Sequence, residues 1–109
     1  MADTTVVLFG IRLEVSDDDL DELESRTHPM QIAAKRAGLE SYWGKFSVPA
    51  ENHLLFVCKL IGKLGVEDRM GIQINADDFA RTAKTVSTKL RDAGISETAL
   101  LHLEYQPGV

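Results

Sequence analysis

The period-two alternation of apolar residues near the start of the chain constrains the fold more than any other feature. Between Thr5 and Val15 every second residue is apolar, so an extended segment has one hydrophobic face. We therefore predict a first strand over 5–15. Its hydrophobic face is predicted to hold Val7, Phe9, Ile11, Leu13 and Val15, and its other face Leu8, Gly10, Arg12 and Glu14.

A helix start follows this strand directly. Ser16 precedes three aspartates at 17–19; a serine cap accepts a backbone N–H, and carboxylates stabilise the positive end of the helix dipole. Pro29 interrupts the helical pattern, because its ring clashes with the carbonyl four residues earlier. The sequence predicts a first helix that is kinked or broken near Pro29 and ends at Gly38, which suits a left-handed cap.

Three further strands and a second helix are predicted from the changes in hydrophobic period. They are the strands Leu39–Val48, His53–Ile61 and Ala99–Tyr105 and the helix between Asn75 and Gly94. The segment 62–75 holds three glycines and is predicted to be a loop, with a short extra edge strand at 70–74 as the alternative. The third strand is apolar on both faces, which indicates a central position beside the first strand.

The order strand, helix, strand, strand, helix, strand predicts a single α+β domain over 1–109. This order resembles the ferredoxin-like β-α-β-β-α-β sandwich, in which two helices cover one face of a four-stranded antiparallel sheet. The opposite face of the sheet is then open to solvent or to a partner.

Charge and cysteine content limit the classes of partner and compartment. The net charge is −5, from 12 basic and 17 acidic residues, without a long basic stripe, so we expect no nucleic-acid partner. Cys58 is the only cysteine and cannot form an intramolecular disulfide, which suits a reducing compartment. The opening residues lack a signal-peptide pattern and no apolar run could cross a bilayer, so we expect a soluble, cytoplasmic protein with no membrane contact.

The predicted open face combines apolar and charged side chains, and a large mixed patch of this kind usually marks an interface or a binding groove. The candidate ligand-binding or interface residues are Arg12, Trp43, Lys45, Lys59 and His102. The first hypothesis is a non-enzymatic binding or regulatory module that forms a homodimer or higher oligomer through this face. The same face is also a candidate site for a small anionic or apolar ligand.

Two alternatives belong to other functional classes. In the first, the chain is a small cofactor-independent dimeric enzyme in which His102 and Glu104, the only catalytic candidates, act as acid and base beside Arg12. In the second, it is an adaptor or inhibitor whose acidic first helix, 17–24, contacts a basic partner.

The other titratable residues give weaker indications. His28 lies next to Pro29 at the predicted kink, where it is either a helix cap or a titrating side chain in a pocket. His53 is predicted to be solvated, and Cys58 to be an inert thiol inside a strand. No histidine or cysteine spacing matches a metal site and no cofactor motif occurs, so we expect neither a metal nor a cofactor.

Overall fold

The sheet and its helices are seen in a computed structural model that describes residues 3–44, 52–65 and 69–106. The chain forms an α+β fold with a four-stranded antiparallel sheet, as predicted. The strands are β1 (Thr4–Ser16), β2 (Glu40–Gly44), β3 (Asn52–Gly65) and β4 (Leu100–Gln106). The helices are α1 (Leu20–Ser25), α2 (Pro29–Ala37) and α3 (Ala76–Asp92), with a short 3₁₀ turn at Asp17–Asp19 before α1.

The strands are arranged in the order β2-β3-β1-β4, and every neighbouring pair is antiparallel. The prediction that the first and third strands form the central pair is confirmed. β3 is longer than predicted, because 62–65 continues the ladder opposite the start of β1. The extra edge strand at 70–74 is not formed; this segment has only one isolated bridge beside it, between Leu64 and Arg69.

The predicted break of the first helix is confirmed. α1 ends at Arg26, which adopts the left-handed conformation with φ 61°, and α2 begins with Pro29 at its first position. His28 caps α2: its Nδ1 accepts the Met30 N–H at 3.1 Å, and its own N–H donates to the Gln31 side chain at 3.2 Å. The proline and this capping box together separate the two helices.

The helix side of the sheet carries the main hydrophobic core. Phe9, Ile11 and Val57 from the central strands contact Ala34 of α2 and two residues of α3, Val86 and Leu90. A neighbouring cluster joins Val15, Leu23 and Leu55, so α1 also packs on this side. The predicted alternation of β1 is therefore correct, since its odd-numbered residues face the helices.

The opposite face of the sheet holds a second core, which the sequence did not predict. Its central side chains are only 0–1 % exposed: they are Val6, Leu8, Leu54, Phe56 and Cys58. The expectation that a single copy exposes a large apolar patch at the centre of this face is therefore wrong. We call this group the open-face core.

Bending of the sheet brings distant residues together over the open-face core. In β3, Lys63 lies seven residues after Phe56, and Phe56 pairs with Tyr42. Seven residues of a straight strand span on the order of 20 Å. Yet Lys63 Nζ lies 5.3 Å from the centre of the Tyr42 ring. The Tyr42 hydroxyl also donates to Gln106 Oε1 at 3.1 Å, which joins the two edge strands across the face.

A β-bulge accounts for part of this bend. The register passes from Val7 opposite Gly62 to Leu8 opposite Leu60, so Ile61 has no partner in the ladder. An extra residue on one strand bends that strand and increases its twist. The start of β1 and the end of β3 consequently turn toward the open face.

Gly10 allows the central strands to approach closely. A Cβ at this position would lie 2.6 Å from Cys58 Cα and closer still to the Val57 carbonyl oxygen. Backbone atoms cannot move away as a flexible side chain can, so the position excludes any larger residue.

We predict that Gly10→Ala lowers the free energy of unfolding by about 1–3 kcal/mol, the usual range for overpacking a tight interior. Urea denaturation followed by circular dichroism measures the change. Gly71→Ala is the matched control, because a Cβ there meets no atom within 4 Å, and it should be neutral or stabilising by less than about 1 kcal/mol. Equal stabilities for the two variants would contradict this account of Gly10.

Candidate functional site

A polar cluster lies beside the open-face core, between β1 and β4. Arg12 Nη1 contacts Glu104 Oε1 at 3.1 Å, and the Glu104 side chain is 13 % exposed. The Arg12 side chain is half exposed, so solvent screens this pair and we assign it little stability. The prediction that Arg12, His102 and Glu104 share one face is confirmed.

His102 is held in one tautomer by the backbone. Its Nε2 lies 3.2 Å from the Gly10 carbonyl oxygen, and since that oxygen can only accept, Nε2 must carry a proton. Its Nδ1 lies 3.9 Å from Glu104 Oε1, too far for a hydrogen bond. The ring also packs edge-on against Phe56 with 5.7 Å between the centroids. These contacts fix the ring in place beside the open-face core.

Trp43 and Lys59 do not join this cluster. Trp43 pairs with Leu55 and packs against the cluster of Val15 and Leu23, so the prediction that it lies on the open face is wrong. Lys59 lies opposite Phe9 on the helix side and contacts Glu40 at 3.6 Å. Tyr42 lies on the open face instead. Successive residues of a strand face opposite sides of the sheet, so an error of one residue in the assignment exchanges the two faces. Lys45, the fifth candidate, falls outside the described residues.

His53 is buried rather than solvated, in contrast to the sequence-based expectation. Only 9 % of the residue is exposed, and its Nδ1 lies 2.7 Å from Asp17 Oδ1. The geometry of this contact is not that of a hydrogen bond, so we describe it as a close polar contact only. The ring packs edge-on against Trp43 at 5.6 Å. The pairing of Ser16 with Asn52 brings these segments together, and nothing local in the sequence indicates it.

Two grooves on the helix side differ in their charge. One groove of about 570 Å³ lies between α3 and the start of β2. Its charged residues have partners: Arg81 contacts Asp78 at 2.7 Å, and Lys89 donates to the Gly38 carbonyl at 3.2 Å. Neither this groove nor a second one beside α2 contains His102 or Glu104. The first groove therefore does not resemble a site built for one charged ligand, whereas the groove beside α2 is basic, with Arg26, Lys35 and Arg36 against Glu40.

In the described part of the sheet, the exposed large apolar side chains all lie on the edge strand β4. Leu101, Leu103 and Tyr105 are 46 %, 60 % and 53 % exposed, and Leu100 is 57 % exposed. The register of Leu101, Leu103 and Tyr105 opposite Phe9, Val7 and Thr5 places them on the helix side. They stay exposed because the buried residues of α3, Val86 and Leu90, pack with β1 and β3 and not with β4.

The two edges of the sheet differ. At β2 the guanidinium of Arg26 donates to the Ser41 carbonyl at 3.3 Å and to the Ser41 hydroxyl at 3.0 Å. This contact covers backbone that a further strand would need. Along β4, described residues pair with the β1 side only. Its contiguous stripe of Leu101, Leu103 and Tyr105, with the edge of β4 that no described strand pairs with, is called the β4 surface below.

Comparisons with known proteins add no functional information. No family model, no curated protein and no solved structure matches the chain. Over 3–44, 52–65 and 69–106, no group of three His, Cys, Asp or Glu side chains could hold a metal ion. In the same ranges no helix is both long and apolar enough to cross a bilayer.

We predict that Cys58 is unreactive in the folded protein. Burial, with a smaller effect of the Glu40 carboxylate, raises the pKa of the Cys58 thiol from 9.0 to about 12, so almost no thiolate exists at pH 8. Alkylation by iodoacetamide at pH 8 should be slow in buffer and fast in guanidinium chloride. Fast labelling of the native protein would show that the open-face core is accessible.

The pH dependence of stability follows from the same pKa shift. Between pH 9 and about 12 the unfolded chain loses a thiol proton that the folded chain keeps, so Cys58 lowers stability as the pH rises through this window.

Trp43→Ala tests the corrected position of the tryptophan. The side chain packs against the Val15, Leu23 and Leu55 cluster, so we predict a loss of about 3 kcal/mol of stability. Because the ring lies away from the β4 surface, the oligomeric mass of the folded variant should be unchanged. Denaturation and light scattering measure the two effects, and a change in mass without a loss of stability would contradict this position.

Proposed function

We propose that this protein is a homo-oligomeric interaction module whose copies join through the β4 surface. The observation that carries the proposal is an edge strand that exposes apolar side chains and, among the described residues, pairs on one side only. Its sequence, Leu-Leu-His-Leu-Glu-Tyr-Gln over 100–106, contains no Lys, Arg or Pro. Soluble proteins usually protect edge strands with such residues, with bulges or with a covering segment.

The regularity of β4 supports strand addition. Its pairing with β1 runs without a register shift from Leu100 to Gln106, so no bulge twists the edge away. An edge of this kind presents a row of N–H and C=O groups to an incoming strand. The half-exposed side chains of Leu101, Leu103 and Tyr105 supply apolar area beside that row.

Because the open-face core is buried, we do not place the proposed interface at the centre of that face. Its central side chains are already 0–1 % exposed in one copy, and little apolar area remains there for a partner to cover. Oligomerisation, the first hypothesis from sequence, is therefore retained with a different surface. Ligand binding on the open face and the adaptor role of the acidic segment 17–24 stay untested predictions.

The geometry of the His102 cluster favours a structural role over acid/base catalysis. Nε2 is committed to the Gly10 carbonyl, and Glu104 is paired with Arg12. Neither His102 nor Glu104 lines the two grooves described above. The enzyme alternative therefore has less support than self-association.

We also propose that the architecture is the ferredoxin-like sandwich. The element order, with the break inside the first helical region, and the central placement of β1 and β3 support this assignment. Folds of this kind host many functions, so the assignment itself does not choose among them.

Charged substitutions on the β4 surface test the proposed function. Leu101→Lys with Leu103→Lys places two ammonium groups on the exposed stripe, and we expect self-association to weaken at least about tenfold. Size-exclusion chromatography with light scattering over a concentration series measures the change. Ile32→Lys is the matched control: Ile32 is 40 % exposed on α2, away from β4. A monomeric parent protein, or equal weakening by the control, would refute the proposal.

A further inference from the structure

We infer that the partner of β4 is the β4 strand of a second copy, antiparallel and centred on Leu103. This inference rests on the proposed function and deepens it, since it names the partner and the register. The two copies are related by a two-fold axis through the pair of Leu103 residues, and their sheets join into one sheet of eight strands.

The length of β4 favours this register. The strand runs from Leu100 to Gln106, and Leu103 is its middle residue. An antiparallel pair centred there places every residue of the strand opposite a residue of the second copy. A centre at His102 or Glu104 leaves the last two residues at one end of each strand without a partner. The register centred on Leu103 therefore satisfies the most backbone groups.

The side chains on the helix side are self-complementary in this register. Leu103 lies opposite Leu103 of the second copy, and Leu101 lies opposite its Tyr105. All are apolar or aromatic and about half exposed in one copy. Cross-strand pairs of this type stabilise antiparallel sheets.

The polar side chains on the open side avoid a like-charge contact in this register. His102 lies opposite Glu104 of the second copy, and Glu104 lies opposite its His102, so the same pair occurs twice. A register centred on Glu104 would place two carboxylates directly opposite each other, which is unfavourable. A register centred on His102 would place Glu104 opposite the apolar Leu100 of the second copy. Charge therefore favours the same centre that the strand length favours.

Disulfide cross-linking tests the register directly. Residues directly opposite in an antiparallel pair have Cα atoms about 4.5–5.5 Å apart, within the range of about 4.4–6.8 Å that a disulfide needs. Leu103→Cys should therefore form a covalent dimer under mild oxidation. The paired interface gives the two thiols a millimolar effective concentration, so at micromolar protein they should cross-link on the order of a thousandfold faster than cysteines that meet by collision.

Leu101→Cys is the matched control, because it lies on the same face with similar exposure. In the inferred register its two copies are offset by four residues, about 13 Å along the strand, and should cross-link only slowly. Leu101→Cys combined with Tyr105→Cys should restore fast cross-linking through two bridges. The native Cys58 is fully buried and should not contribute.

Light scattering of the reduced proteins separates failure of the register from failure of the proposed function. A dimer in which Leu103→Cys cross-links no faster than Leu101→Cys would overturn the register and leave self-association intact. A monomer at all concentrations would overturn both. Fast cross-linking of Leu103→Cys and of the double variant, with a slow control, would support the inferred register.

Discussion

The antiparallel pairing of β1 with β3 determines the rest of the structure. It runs along the whole of β1, from Thr4 opposite Gly65 to Ser16 opposite Asn52, and both faces of its central part are buried. Gly10 lets the two backbones approach, and the unpaired Ile61 bends the pair. The helices pack on one face of this strand pair, and the open-face core lies on the other. The edge strands β2 and β4 depend on it for their position.

Local patterns predicted the elements whose physical cause is local. The alternation of β1, the caps at Ser16 and Asn75 and the helix break near Pro29 all follow from neighbouring residues, and the structure contains each of them. The central pairing of β1 with β3 followed from the apolar character of both faces of β3. The α+β fold was therefore accessible from the sequence.

Features that depend on long-range geometry were not accessible in this way. Tyr42 and Trp43 are adjacent aromatic residues in a short strand, so hydrophobicity alone does not say which one faces the helices. The glycines at 62 and 65 suggested a loop, but pairing with the start of β1 makes this segment part of β3. The β4 stripe is exposed because the helices pack over the central strands. His53 lies beside Asp17 because the pairing of β1 with β3 brings their segments together.

The contact between Arg26 and Ser41 has a consequence for how large an assembly can become. A sheet with two free edges can add strands at both sides and grow without limit as a ribbon. Here the guanidinium of Arg26, which follows α1 in the left-handed conformation, occupies the Ser41 carbonyl of β2. If copies join through β4 as proposed, this contact disfavours further addition at β2, and the product is a closed pair.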